Sequence, residues 1–134
     1  TAVAAGQCDI AVVNSYYYGA MLQAQDAQRT AAEKVVIFWP NQDGRGTHIN
    51  VSGAGVTASA RNVVAAVGLL EFLVGDESQR WYAETNNEYP LRDNIPVSDL
   101  LMSWGQFKAD QLDVTELGRR NADAVKAMDR AGWK

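Results

Sequence analysis

The 134 residues carry a formal net charge of −4, with 47% hydrophobic and 21% charged residues, a balance close to that of ordinary soluble domains and far from disordered or collagen-like chains. No run of Lys or Arg offers a surface to nucleic acid or anionic lipid, so nucleic acid is not an expected partner. The most apolar window, VVAAVGLLEFLVG (63 to 75), is interrupted by Glu71 and falls short of the roughly 20 apolar residues a bilayer demands. We therefore expect a core helix there and no membrane insertion.

The chain opens on Thr1, and AVAAGQCD reads like the tail of a helix running into a strand, which leads us to expect a piece of something longer or a processed product. Cys8 is the only cysteine, so it stays a buried thiol or pairs outside the sequence. Residues 9 to 13 (DIAVV) suit a buried strand. Asn14 and Ser15 are turn and cap types, and YYYGAMLQAQ (16 to 25) has helical length with Gly19 as its weak point. A tyrosine triplet thus sits at a strand-to-helix junction.

KVVIFWP (34 to 40) is a second strand candidate stopped by Pro40, NQDGRG (41 to 46) is a turn by composition, and THINVSGAGVT (47 to 57) alternates in part. A helix is expected from Ser59 to about Val74, with Val63, Val67, Leu70 and Val74 on one stripe. DESQRWYAETNN (76 to 87) reads as another, with Asp76 and Gln79 at capping-box spacing. EYP and LRDNIPVSD form a loop with Pro90 and Pro96. The last helix, about Val114 to Ala131, aligns Val114, Leu117, Ala124, Val125, Met128 and Ala131. Loose alternation of strands and helices gives the class as α/β, with few strands for a complete doubly wound domain.

Catalytic chemistry finds little support. The single histidine, His48, has no G-x-S-x-G to serve, and Cys and His are too few for a zinc site. GAGVTA (53 to 58) fits G-x-G-x-x-A, but the acidic residue that should end the next strand is Asp76, which directly follows a helix. A nucleotide-dependent oxidoreductase is the reading that this stretch would serve.

The tyrosines are open to two readings, packing aromatics or phenolate ligands. Neighbours on a regular helix point about 100° apart, so two phenols can share an ion only where the backbone is still turning into the helix. That is where Tyr16 and Tyr17 lie. The helix end adds unpaired N–H groups and the positive end of the dipole, which favour an anion. A phenol ionises near pH 10, about 3 pH units above neutrality, so only a highly charged cation could hold two as phenolates. Phenolate is a hard oxygen donor, and Fe(III) is its natural partner.

AGQCDIAVVNSYYYGAML, followed by NQDGRGTHINVSGAGVT, a helix, LLEFLVG and EYP, resembles the C-terminal part of the bacterial periplasmic ferric-iron-binding proteins of the type II solute-binding fold. The resemblance covers nearly the whole chain. It implies Tyr16 and Tyr17 as Fe(III) ligands, Asn14 as a contact for a synergistic anion, and further ligands from an N-terminal half. Tyr18 has no counterpart and is expected to pack or to support the ligands from behind; no ligand role passes to His48. The implied architecture is two α/β lobes, with about 1–35 and 90–134 in one, about 41–85 in the other, and KVVIFWP crossing between them. The implied function is that of a periplasmic subunit that binds ferric iron for an ABC importer and its permease, without being an enzyme. The alternative kept beside it is a solute-binding protein for an organic anion or sugar.

Overall fold

The computed structural model describes residues 1–133, and these form two units. The first comprises Thr1–Phe38 and Asn50–Gln106; the second comprises Trp39–Ile49 and the chain from Phe107 onward. Five α-helices build the first unit: α1 (Ser15–Gln23), α2 (Ala27–Ala32), α3 (Val63–Leu73), α4 (Asp76–Trp81) and α5 (Asp99–Ser103). α4 runs directly into a π-helical turn, Tyr82–Asn86. The second unit holds α6 (Val114–Arg130).

Local side-chain chemistry explains where these helices begin. Asp26 accepts from the Gln28 N–H at 2.8 Å and starts α2 after the backbone turns extended at Ala24. Asn62 accepts from the Ala65 N–H at 3.0 Å, so α3 starts at Val63 rather than Ser59. Ser98 caps α5 through the Leu101 N–H, and Asp113 caps α6 through the Thr115 N–H at 2.8 Å. α2 and α5 are short helices with no apolar periodicity long enough to reveal them in the sequence.

The expected capping box at the start of α4 does not form. Gly75 is the N-cap, and Asp76 pairs instead with Arg92, Nη1 to Oδ1 at 2.8 Å. Gln79 is only 4% exposed. Its Nε2 donates to the Leu73 carbonyl at 2.9 Å and its Oε1 accepts from the Leu91 N–H at 2.8 Å. Ser78 Oγ donates to the Phe72 carbonyl at 2.8 Å. Two polar side chains of α4 thus bond to carbonyls at the end of α3, a demand that outweighs a local box.

The expected strands differ more. Segments 9–13, 34–40 and 48–57 have no ladder, and the sole β-bridge among the described residues is Thr47 to Ala109, parallel, in the second unit. A strand needs a neighbour for its backbone groups. These segments have none within the described residues, and their apolar side chains stand open: Val12 is 92% and Val36 88% exposed. Cys8 is exposed, which overturns the buried-thiol half of its expectation.

The window expected as a core helix also buries nothing: no residue of α3 is buried, and Val64 is 85% exposed. α6 places Val114, Leu117, Val125 and Met128 along an apolar face that is likewise open. The buried apolar residues among those described are Ala32, Ala83, Ile95 and Leu101, a small core for six helices. Sequences with this much apolar patterning are built to be covered.

In the second unit the turn at 41–46 is as expected. Gln42 stitches it, accepting from the Lys108 N–H at 2.7 Å and donating to Thr47 Oγ1 at 2.9 Å. Gly46 sits at φ +100°, where a Cβ would lie 2.6 Å from the Lys108 carbonyl oxygen, so the second glycine of G-R-G is dictated by backbone approach. Arg45 pairs with the nearly buried Asp110 at 3.1 Å, and Trp39 stacks on Phe107 with centroids 4.4 Å apart.

Candidate metal centre

α1 carries the tyrosine triplet in its first turn. Asn14 is its N-cap, with extended backbone (φ −68°, ψ 137°), yet its side chain does not cap the helix. The amide instead donates from Nδ2 to the Tyr16 hydroxyl at 3.0 Å. The Tyr16 and Tyr17 rings lie against each other, centroids 4.3 Å apart and planes inclined by 47°. Tyr16 is half-buried and Tyr17 is 55% exposed. Two neighbouring phenols and one amide therefore form an open polar group at the start of a helix. Long side chains leaning back over the N-terminal turn overcome the 100° separation of neighbouring positions.

The electrostatics follow from that proximity. The phenol of Tyr16, through its hydrogen bond to Tyr17 and then through its charge when ionised, holds the Tyr17 hydroxyl above its ordinary value of 10.0. Adjacent phenolates repel, so losing both protons requires a cation that both oxygens can share. The start of α1 has no side-chain cap, and the positive end of its dipole favours an anion there.

Tyr18 turns away. Its hydroxyl donates to the Val35 carbonyl at 3.0 Å, and its ring tilts against Trp104 with centroids 5.7 Å apart. With Leu22, Val36, Ile37, Ser103 and Trp104 it lines a cavity of about 290 Å³. Burial raises the Tyr18 hydroxyl above 10.0. It packs, as expected of the residue without a ligand counterpart.

Among the described residues no three His, Cys, Asp or Glu side chains gather as a metal-ligand group. His48 is exposed and belongs to the second unit. GAGVTA has the wrong setting for a dinucleotide: α3 begins at Val63, so these glycines do not open a helix, and nothing stands within 4 Å of a Cβ built on Gly53 or Gly55.

One feature of α1 was not legible beforehand. Gly19, the apparent weak point, is buried against Asn87, the residue that ends the π-helical turn. Asn87 and Gln23 exchange amide hydrogen bonds at 3.2 and 3.0 Å. The signals in the sequence were the mid-helix glycine and the N-N pair before EYP.

No family model matches the chain. It is 45% identical over 134 residues to iron uptake protein A1 of Synechocystis sp., covering 99% of this chain and 37% of that protein. It is 29% identical over 133 residues to the major ferric iron-binding protein of Neisseria meningitidis, covering 99% of this chain and 39% of that one. Among solved structures, FutA (IdiA) of Trichodesmium in complex with iron and citrate superposes with a TM-score of 0.92 at 46% identity, over 99% of this chain and 42% of that one. The ferric binding protein of Campylobacter jejuni superposes with a TM-score of 0.93 at 35% identity, over 99% and 42%. The chain thus spans about two fifths of the length of these relatives. Its fold is that of a part of the type II periplasmic binding proteins, and in sequence it is similar to their iron uptake and ferric iron-binding members.

Proposed function

We propose that this chain supplies two phenolate ligands, Tyr16 and Tyr17, to a ferric-ion site in a periplasmic solute-binding protein that delivers iron to an ABC importer. The observation that carries the reading is the contact of the two phenols at the uncapped start of α1, with the Asn14 amide on one of them. A trivalent ion shared by both oxygens offsets the mutual repulsion of two neighbouring phenolates. The ion is cargo, so the protein binds and releases it without performing a reaction.

Asn14, the first N–H groups of α1 and the helix dipole would receive a synergistic anion completing the iron's coordination. The iron and citrate named for the Trichodesmium protein support that pairing of metal and anion. The remaining ligands would come from a second lobe. The open segments 9–13 and 34–40 and the uncovered face of α3 are what such a chain exposes when its neighbours in the fold are missing.

Ferric titration tests the reading. The protein carrying the complete two-lobed fold develops a phenolate-to-iron charge-transfer band in the visible, and Tyr17→Phe abolishes or strongly shifts it. A colourless wild type under iron saturation refutes the assignment. Calorimetry with iron and a panel of organic anions and sugars then identifies any other solute.

A further inference from the structure

The tyrosine pair occupies one end of a nine-residue helix that is met at its middle by a buried side chain, Asn87. Asn87 is 2% exposed and stands at φ 57°, ψ 38°, the left-handed region that asparagine tolerates better than most residues. It reaches that conformation because the π-helical turn Tyr82–Asn86 closes on it, the Asn87 N–H bonding to the Tyr82 carbonyl. Its side chain then lies against α1 at Gly19, one turn beyond Tyr16. A Cβ on Gly19 would stand 2.7 Å from both Cβ and Cγ of Asn87 and 2.8 Å from its Nδ2, closer than such atoms approach.

Asn87 cannot give way. Nδ2 donates to Gln23 Oε1 at 3.0 Å, and Oδ1 accepts from Gln23 Nε2 at 3.2 Å. Gln23 is the last residue of α1. α1 is therefore held at its middle by steric contact and at its end by a reciprocal amide pair, while Tyr16 and Tyr17 occupy its first turn, which Tyr18 ties to Val35. A glycine in a helix interior costs about 0.5–1 kcal/mol relative to alanine. Its presence at position 19 is accounted for by the approach of Asn87. Single-turn π insertions recur where a side chain must be aimed at a functional element.

We propose that Asn87, seated against Gly19 and paired with Gln23, is a positioning residue that sets where α1 carries Tyr16 and Tyr17. The consequence for iron rests on the reading of those tyrosines as ligands; the consequence for their placement does not. Asn87→Asp keeps shape and left-handed tolerance but sets a carboxylate oxygen against Gln23 Oε1 in place of a donor. Gly19→Ala drives α1 off Asn87. Asn87→Gly added to Gly19→Ala removes the obstacle and keeps a residue suited to φ 57°, so it restores the approach without the amide pair.

The test has two arms. In the iron-free protein, ring proton shifts of selectively labelled Tyr16 and Tyr17 report their mutual stacking. Gly19→Ala and Asn87→Asp shift them, and the double variant Gly19→Ala/Asn87→Gly returns them toward wild type. Unmoved Tyr16 and Tyr17 signals in a folded Gly19→Ala variant, judged by circular dichroism, overturn the proposal whatever iron does. In the iron-loaded protein, Asn87→Asp weakens ferric affinity about 10- to 100-fold, the range for losing a partner that orients a metal ligand, and moves the charge-transfer band. Wild-type affinity and band in a variant whose ring shifts have moved overturn the link to the metal. A wild type without any band defeats the proposed function, while the iron-free arm still decides the positioning role.

Discussion

Replacing Gln79 by alanine tests whether the corner between α3 and α4 is held by a buried amide or by a local helix cap. The side chain is 4% exposed and spans two groups that have no other described partner for those bonds, the Leu73 carbonyl at 2.9 Å and the Leu91 N–H at 2.8 Å. Each buried polar group left unpaired costs about 1–3 kcal/mol, and partial hydration of the carbonyl at the end of α3 lowers the total. The expected loss is about 2–4 kcal/mol. A residue acting only as the second half of a capping box would cost about 0.3–1.5 kcal/mol. Urea unfolding of the iron-free protein, followed by far-ultraviolet circular dichroism, separates the two ranges provided the m-value is unchanged. Asp76→Asn is the control: it loses a half-exposed ion pair with Arg92 and should cost no more than about 1 kcal/mol. A loss below about 1 kcal/mol for Gln79→Ala would show that the amide bridge does not hold the corner, and with it the route by which α4 delivers the π-helical turn to α1.

Tyr18→Phe removes the hydroxyl that bonds to Val35, and is expected to lower stability by about 1 kcal/mol while leaving the iron band at its wild-type wavelength, as absorption of the loaded variant will read. Ferric affinity measured against a competing chelator should fall about 100-fold per pH unit on acidification, because each of the two phenols must release a proton to bind the ion. A tenfold dependence would mean a single phenolate. Asp113 is held below its ordinary value of 3.8, first by the Thr115 hydroxyl and then by the Thr115 N–H. A depressed acid contributes stability above its unfolded value and loses it as the pH falls through its folded one. Helical content at 222 nm should therefore drop below about pH 4, and Asp113→Ala should show reduced content with a smaller acid step.

The sequence was legible where structure is decided within one or two turns. α6 was expected from Val114 to about Ala131 and runs Val114–Arg130, because its period and its Asp113 cap are local. The start of α3 was placed four residues early because Ser59 and Asn62 are both cap types, and only the bond to Ala65 tells them apart. The π-helical turn was beyond reach, since its register depends on Asn87 meeting Gly19 across the fold. Strand segments 9–13, 34–40 and 47–57 were visible as apolar runs, but pairing is a property of neighbours, and only Thr47 finds one. For the site, the closeness of Tyr16 and Tyr17 was expected from a backbone still turning into the helix, yet both lie within α1 and their rings meet there, while the packing of Tyr18 was expected only from the family resemblance. That the Asn14 amide would bond to Tyr16 rather than cap α1 was not expected.

The most direct measurement is an anomalous difference map, recorded at the iron absorption edge, from crystals of the iron-loaded protein. One peak at bonding distance from both the Tyr16 and Tyr17 hydroxyl oxygens is the expected result. A peak that touches neither oxygen, or binds only one while the other keeps its proton, contradicts the two-phenolate site.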